Sequence, residues 1–447
     1  MIKKTVINSL SGIIFVVFTT ISPLKAQDLT ATYELALQND PVLKQAEANQ
    51  LAIAEYRPQG IARLLPNISA AALSSRDWLY NEKAGRDYRG PSQEYWSNSI
   101  NLKLSQPLMH WDYWTQLSQS DNQIAQAEAD YQAELQKLMV KTTEAYFNVL
   151  AAQDTVELFS VEKQAISRQL EQAKQRFEVG RNAITDVYEA QAGLDEALAN
   201  EIDATHDLKN KKAALREIIG ENEVLLNSLG ATLPLLQPEP ANIKAWRDSA
   251  EINNFSVISA FNKAEFSRKS ITVQRAGHLP QLDLVASSLI SDVNSTSGFR
   301  GNTQSVGVQL NIPLFEGGAV NSRIRQASYQ YEAAKENLIT IKRAVNRQAE
   351  DAYNGVISSI ARVEALKTAV TSRESALEAS EVGYQVGTRT MVDVLTEQRK
   401  LYRSKRDFYR GRYDYLINSI KLKQASSNLT QNDLEQINRL LVGHPNG

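Results

Sequence analysis

The stretch VGTRTMVDVL, residues 386–395, sets a glycine, an arginine and an aspartate between two long segments that otherwise carry the pattern of continuous helix. Upstream, FEVGRNAITDV at residues 177–187 reads almost the same way. Gly180 matches Gly387, Asp186 matches Asp393 and Gln191 matches Gln398, all at one offset, 387 − 180 = 207. A break used twice at a constant spacing points to an internal duplication.

Working outward from these breaks, residues 111–179 contain neither glycine nor proline, and in residues 319–382 only Gly355 interrupts. Each run predicts a helix on the order of 100 Å long at 1.5 Å per residue. Ordinary globular helices hold about 11 residues, so the length points to coiled-coil-like packing. After each glycine a second helical segment follows, residues 184–219 and 391–426. In the first, Ile184, Val187, Gln191, Leu194 and Leu198 recur at the alternating three-four spacing of a heptad seam, with alanine filling much of the rest. Shorter helical segments are expected at 42–63 and 256–275. A short and a medium segment together match the length of the long helix, so stacked end to end they can lie beside it.

Ahead of the long runs the period changes to two. PNISAAAL (66–73) and INLKLSQPL (100–108) flank a polar loop at 77–95, and PQLDLVA (280–286) and VGVQLNIPL (306–314) flank a Ser/Asn/Gly loop at 291–303. Each half thus predicts one β-hairpin, at 65–108 and 280–314. Val306, Val308, Leu310 and Ile312 alternate with Gly307, Gln309 and Asn311. Apolar residues on one face and polar or small ones on the other is the pattern of an outer-membrane barrel strand. Open strand edges are not tolerated in lipid, and four strands cannot close, whereas three chains supply twelve. The fold class expected is therefore an α+β membrane protein: a long, coiled-coil-like helical barrel continuous with a twelve-stranded β-barrel closed across a trimer. The domain plan is a leader at 1–26, a first repeat at 27–220, an equatorial linker at 221–246, a second repeat at 247–427 and an equatorial tail at 428–447. The linker carries Pro234, Pro238 and Pro240, and the tail has Thr430 as N-cap ahead of Leu434, Ile437 and Leu440.

Composition narrows the function. The chain of 447 residues carries 51 acidic and 49 basic residues, which excludes the basic field of a nucleic-acid binder. Lys3 and Lys4, an apolar run from Ile13 to Ile21 and a small-residue end at Ala26 read as a secretory leader. No later segment approaches the roughly 20 apolar residues of a membrane helix. Cysteine is absent, so neither a disulfide nor an N-terminal lipid anchor is available. His110, His206, His278 and His444 have no metal-ligand spacing and read as surface or boundary residues; no metal or cofactor is called for.

Several motifs carry a family resemblance: AYFNVL from Ala145, RFEVG from Arg176, AITDV from Ala183, LANE from Leu198 and GYQVGTRTMVDVL from Gly383. With the order hairpin, long helix, glycine turn, helix given twice, nearly the whole mature chain resembles the TolC family of outer-membrane efflux and type I secretion channels, in its branch without an N-terminal lipid. The resemblance implies a passive duct and no enzyme. It implies a homotrimer set in outer-membrane lipid, with its tunnel in the periplasm. The tunnel docks through a periplasmic adaptor to an inner-membrane pump of RND, ABC or MFS type.

It also assigns residues. Val179, Gly180, Val386 and Gly387 would form the adaptor-docking tip turns. Tyr384 and Arg389 would bond across to Asp186 and Thr185, and Gln169 would pair with Glu381, latching the tip shut. Asp393 would form an acidic ring in the lumen. The chain departs from the pattern at Thr396, where a second ring aspartate is expected, and at Arg181, where an apolar residue is common; Glu397 should point about 100° away from the ring. An alternative reading is a periplasmic coiled-coil adaptor or scaffold, but such a chain carries one helical hairpin, and this one has two with lipid-type strands. An exported enzyme lacks any supporting nucleophile, metal cluster or carboxylate pair.

Overall fold

The computed structural model describes residues 27–79, 93–181, 183–221, 225–294 and 300–442. The expected leader, His444 and parts of both hairpin loops, the linker and the tail lie outside them. In the first half, α1 is Leu29–Asn39, α2 Pro41–Ala54, α3 Tyr56–Ala62, β1 Asn67–Leu79, β2 Gln93–Met109, α4 Trp111–Glu178 and α5 Ile184–Ile219. Strand β3, Ser228–Leu229, follows. The second half holds α6 Ile243–Asn253, α7 Phe255–Ala276, β4 Gln281–Val293, β5 Arg300–Asn311, α8 Ala319–Gln385, α9 Met391–Ala425, α10 Gln431–Asn438 and β6 Leu441–Val442.

Helices α4 and α8 run 68 and 67 residues without a breaker strong enough to stop them, about 100 Å each. Along α4 lie α2 and α3 on one stretch and α5 on the other; α8 has α6 and α7, then α9, beside it in the same way. The structure adds α1 and α6, which the apolar period does not announce, and α6 takes Trp246 out of the expected linker. The helix starts are set by one device used twice. Asp40 ends α1 and caps α2, accepting from Val42 and Leu43 N at 2.9 Å, and Asn254 ends α6 and caps α7, accepting from Ser256 N at 2.9 Å. A side-chain acceptor at the break satisfies amides that the new helix leaves open.

Strands β1, β2, β4 and β5 form one antiparallel sheet in the order β1-β2-β4-β5. β4 and β5 extend well into the expected Ser/Asn/Gly loop, where Asp292 pairs with Arg300 across the ladder at 2.7 Å. Small polar residues do not stop a strand whose polar face meets water. Pro107 pairs with Asp283 where the register with β4 begins to shift and beyond the end of pairing with β1 at Ser105, an irregular strand end of the kind that tolerates proline. Among the described residues β1 and β5 each pair on one side only. On β5, Val306 and Val308 are 78% and 62% exposed.

The main core gathers where α1, α4, α5, α9 and α10 meet. At its centre the AYFNVL motif buries Tyr146 and Phe147 completely, and Phe147 stacks on Tyr413 with centroids 5.5 Å apart. The Tyr146 hydroxyl donates to the Asn227 carbonyl at 2.9 Å, tying the linker to α4. The tail closes over this core: Thr430 N donates to the Asp433 carboxylate at 2.8 Å, Leu434 and Ile437 are buried, and β6 pairs with β3. His110 is buried at the boundary of sheet and helix, with Nε2 3.2 Å from Asp283. The expected α5 seam is met in part: Val187 and Leu194 pack on neighbouring helices, Ile184 and Leu198 are exposed in the single chain, and the most buried stripe is Ala190, Gly193, Ala197 and Ala204. Small residues face the neighbours because the helices approach closely there; a Cβ on Gly193 would stand 3.4 Å from Leu395 Cδ1.

Candidate functional site

Both helical hairpins turn through the same motif. At the end of α4, Val179 is the cap, Gly180 takes φ +72°, and Arg181 N donates to Arg176 O at 2.8 Å. At the end of α8, Val386 is the cap, Gly387 takes φ +80°, and Thr388 N donates to Gly383 O at 2.8 Å. These are Schellman turns, which need a left-handed residue and so select glycine. Val179 and Val386 each stand 70% exposed, an apolar knob on either turn.

The hairpins meet in a small core of Ile166, Leu170, Ala173, Ala190, Ala197, Met391 and Leu395, against which Val187, Leu194 and Tyr384 pack. Across it the Tyr384 hydroxyl donates to Asp186 Oδ2 at 3.2 Å. Two expected latch members are thereby joined within one protomer. The others are not brought together in the same way. Arg389 makes no side-chain hydrogen bond to Asp186 or Thr185 among the described residues. Its side chain folds over its own turn, with Cγ 2.7 Å from where a Cβ on Gly383 would stand, and its amide donates to Gly383 O at 3.2 Å. Only glycine at 383 leaves that room. Gln169 buries its Oε1 without a hydrogen-bond partner, and no bond links it to Glu381 among the described residues. Burial, and then Glu378, raises the Glu381 carboxyl above its ordinary value.

Asp393 has a local task that the period alone does not reveal. Thr390 caps α9, and the Asp393 carboxylate accepts from both Thr390 N and Thr390 Oγ1 at 2.9 Å, a capping box. The bond from the Thr390 amide, then its hydroxyl, then the Arg389 charge hold the Asp393 carboxyl below the usual range. At the corresponding position before α5 stands Ala183, which has no hydroxyl to offer. Glu397 turns away as helix geometry requires, pairing with Lys400 at 2.7 Å and Arg373 at 3.4 Å, and Thr396 is half-buried.

Two further residues escaped the sequence reading. Arg176 places its guanidinium carbon 5.5 Å from the centroid of the Tyr384 ring. Its signal lay in the offset, since Arg176 stands opposite Gly383 and Phe177 opposite Tyr384. Glu162 of α4 is buried, and burial pushes its carboxyl up to about 7; Arg399 opposes the rise, Glu196 adds to it and Arg406 opposes it. A glutamate in a long helical run reads as a solvated face, so no sequence signal marked it.

Helices about 100 Å long joined to a four-stranded antiparallel sheet, with matched glycine turns at the far end, fit the class of outer-membrane export channels. The chain belongs to the outer membrane efflux protein family, whose sequence model matches residues 32–221 and 246–428, and it is an outer-membrane exit duct. It is 36% identical over 446 residues to the outer membrane protein TolC of Escherichia coli, covering 97% of this chain and 87% of that one. It is 31% identical over 413 residues to the alkaline protease secretion protein AprF of Pseudomonas aeruginosa, covering 91% and 85%. The fold matches the CmeC outer membrane channel of Campylobacter jejuni with a TM-score of 0.79 at 17% identity, over 93% of this chain and 90% of that one.

Proposed function

We propose that three copies close into a twelve-stranded barrel continuous with a helical tunnel, each chain an internal duplication contributing two hairpins to both. The duct is passive and catalyses nothing. It serves efflux and type I secretion, with energy supplied by an inner-membrane pump of RND, ABC or MFS type that engages the tip through a periplasmic adaptor. The observation that carries this reading is the sheet with two open edges, β1 and β5, and exposed aliphatics on alternate positions of β5. Edges in lipid must be paired, and three equal sheets joined edge to edge leave none. Detergent-extracted protein is expected to weigh as three chains by native mass measurement, and a stable membrane-embedded monomer would overturn the architecture.

At the tip, Val179, Gly180, Val386 and Gly387 present the surface for the adaptor. Thr185, Asp186, Tyr384 and Arg389, with Gln169 and Glu381, hold the hairpins together, Arg389 reaching a neighbouring copy rather than its own chain. Three Asp393 carboxylates ring the lumen and favour cations, because like charges in a constriction focus the field. Asp393→Ala is expected to weaken cation preference in planar bilayers. Asp393→Asn separates charge from capping, since its amide oxygen still accepts from Thr390; it should lose selectivity equally while keeping the turn. Unchanged selectivity in both variants places the ring elsewhere.

A further inference from the structure

Among the described residues the α4–α5 hairpin meets both the hydroxyl and the ring of Tyr384. Its hydroxyl meets Asp186 at 3.2 Å, and the Arg176 guanidinium lies against its ring, 5.5 Å from the centroid. A hydrogen bond at the hydroxyl fixes an oxygen but not a ring, because χ2 of tyrosine is a broad torsion. A cation drawn to the ring face by its quadrupole restricts that rotation. Arg176 is suited to the task. It is half-buried in the last turn of α4, where the helix end favours positive charge. Its backbone is held by the turn it begins, its carbonyl accepting from Arg181 N at 2.8 Å. The two halves of the chain differ at these very positions. The first carries the cation with a phenylalanine, Arg176 and Phe177; the second carries a glycine with the tyrosine, Gly383 and Tyr384. Each half supplies what the other lacks, and the contact forms between them.

We propose that Arg176 is a positioning residue of the tip closure, stacking on Tyr384 so that the hydroxyl is aimed at Asp186. The inference rests on the closing role given above to Tyr384 and Asp186, and extends the latch beyond the six residues named there. The experiment compares single-channel conductance in planar bilayers for Arg176→Ala, Arg176→Lys, Tyr384→Phe and the Arg176→Ala/Tyr384→Phe pair, each verified as assembled by native mass. Arg176→Ala should raise the open-to-closed ratio roughly ten- to a hundred-fold, a cation–π contact worth about two- to five-fold per copy being lost in each of three copies. Arg176→Lys should restore the parent value, since a cation again meets the ring. Arg176→Ala should add nothing to Tyr384→Phe, because the group it aims is gone. If Arg176→Ala does not assemble, Arg176→Gln, which keeps length and helix propensity, carries the same expectations. Parent-like conductance in the Arg176 variant while Tyr384→Phe opens the tip would overturn the inference and leave the latch standing; so would full additivity of the pair. Parent-like conductance in both single variants would remove the latch itself.

Discussion

Tyr384→Phe combined with Arg389→Ser is expected to raise single-channel conductance several-fold and to admit large antibiotics, with the trimer intact. The Tyr384 hydroxyl ends on a carboxylate at 3.2 Å in a partly buried site. A hydrogen bond to a charged group contributes about 1.5–3 kcal/mol there, and the length of this one favours the lower end. Three copies would then bias the tip by about 4–5 kcal/mol, roughly a thousand-fold in the balance of closed and open states. Phenylalanine keeps the ring packed against the tip core. The Schellman bonds are backbone to backbone, so neither substitution disturbs the turn. Asp186→Ala should act in the same direction and add little to Tyr384→Phe, because both remove one interaction. A double variant that stays trimeric and conducts like the parent identifies these as ordinary solvated charges, for which pair energies near zero are common.

Val308→Arg is expected to abolish assembly in the outer membrane. Val308 pairs with Leu284 on β4 and shares its face with Val306 and Leu310, two residues away on either side. On the lipid face, an arginine near the bilayer midplane costs about 2–4 kcal/mol, and three copies multiply that to about 6–12 kcal/mol, comparable with the whole stability of an ordinary domain. Gln309→Arg, one residue on and pointing the opposite way, should assemble and alter only the permeation of ions. Native mass measurement of the detergent-extracted membrane fraction reports the outcome. Loss of trimer in Gln309→Arg together with normal trimer in Val308→Arg would reverse the two faces of the sheet.

These residues differ in how much of their role the sequence discloses. Gly180 and Gly387 announce themselves, because a left-handed residue between two helical runs leaves few choices. The motif at Ala145 is conspicuous as well, yet its content is packing: Tyr146 and Phe147 are wholly buried in the core far from the tip. Asp393 carries a second meaning that is local, the capping box with Thr390 three residues earlier. Arg389 is legible as a tip charge, but its fold over Gly383 is not, since that depends on the absence of a side chain six residues back.

The sequence by itself determined the long helices, the two glycine turns and the two-faced strands. Each of these is set within a few residues, by breakers, by backbone conformation and by a period of two or of 3.6. Only the tertiary structure decided which stripe of α5 is most buried within the chain, Ala190, Gly193 and Ala197 beside Val187 and Leu194, because close approach to α4 and α9 leaves room there for small side chains. It also decided that Asp186 receives Tyr384 and that Tyr384 receives Arg176, contacts spanning 384 − 186 = 198 and 384 − 176 = 208 residues of chain. No local period encodes such distances. They follow from laying two helical hairpins side by side, which brings chain segments from opposite halves to one tip.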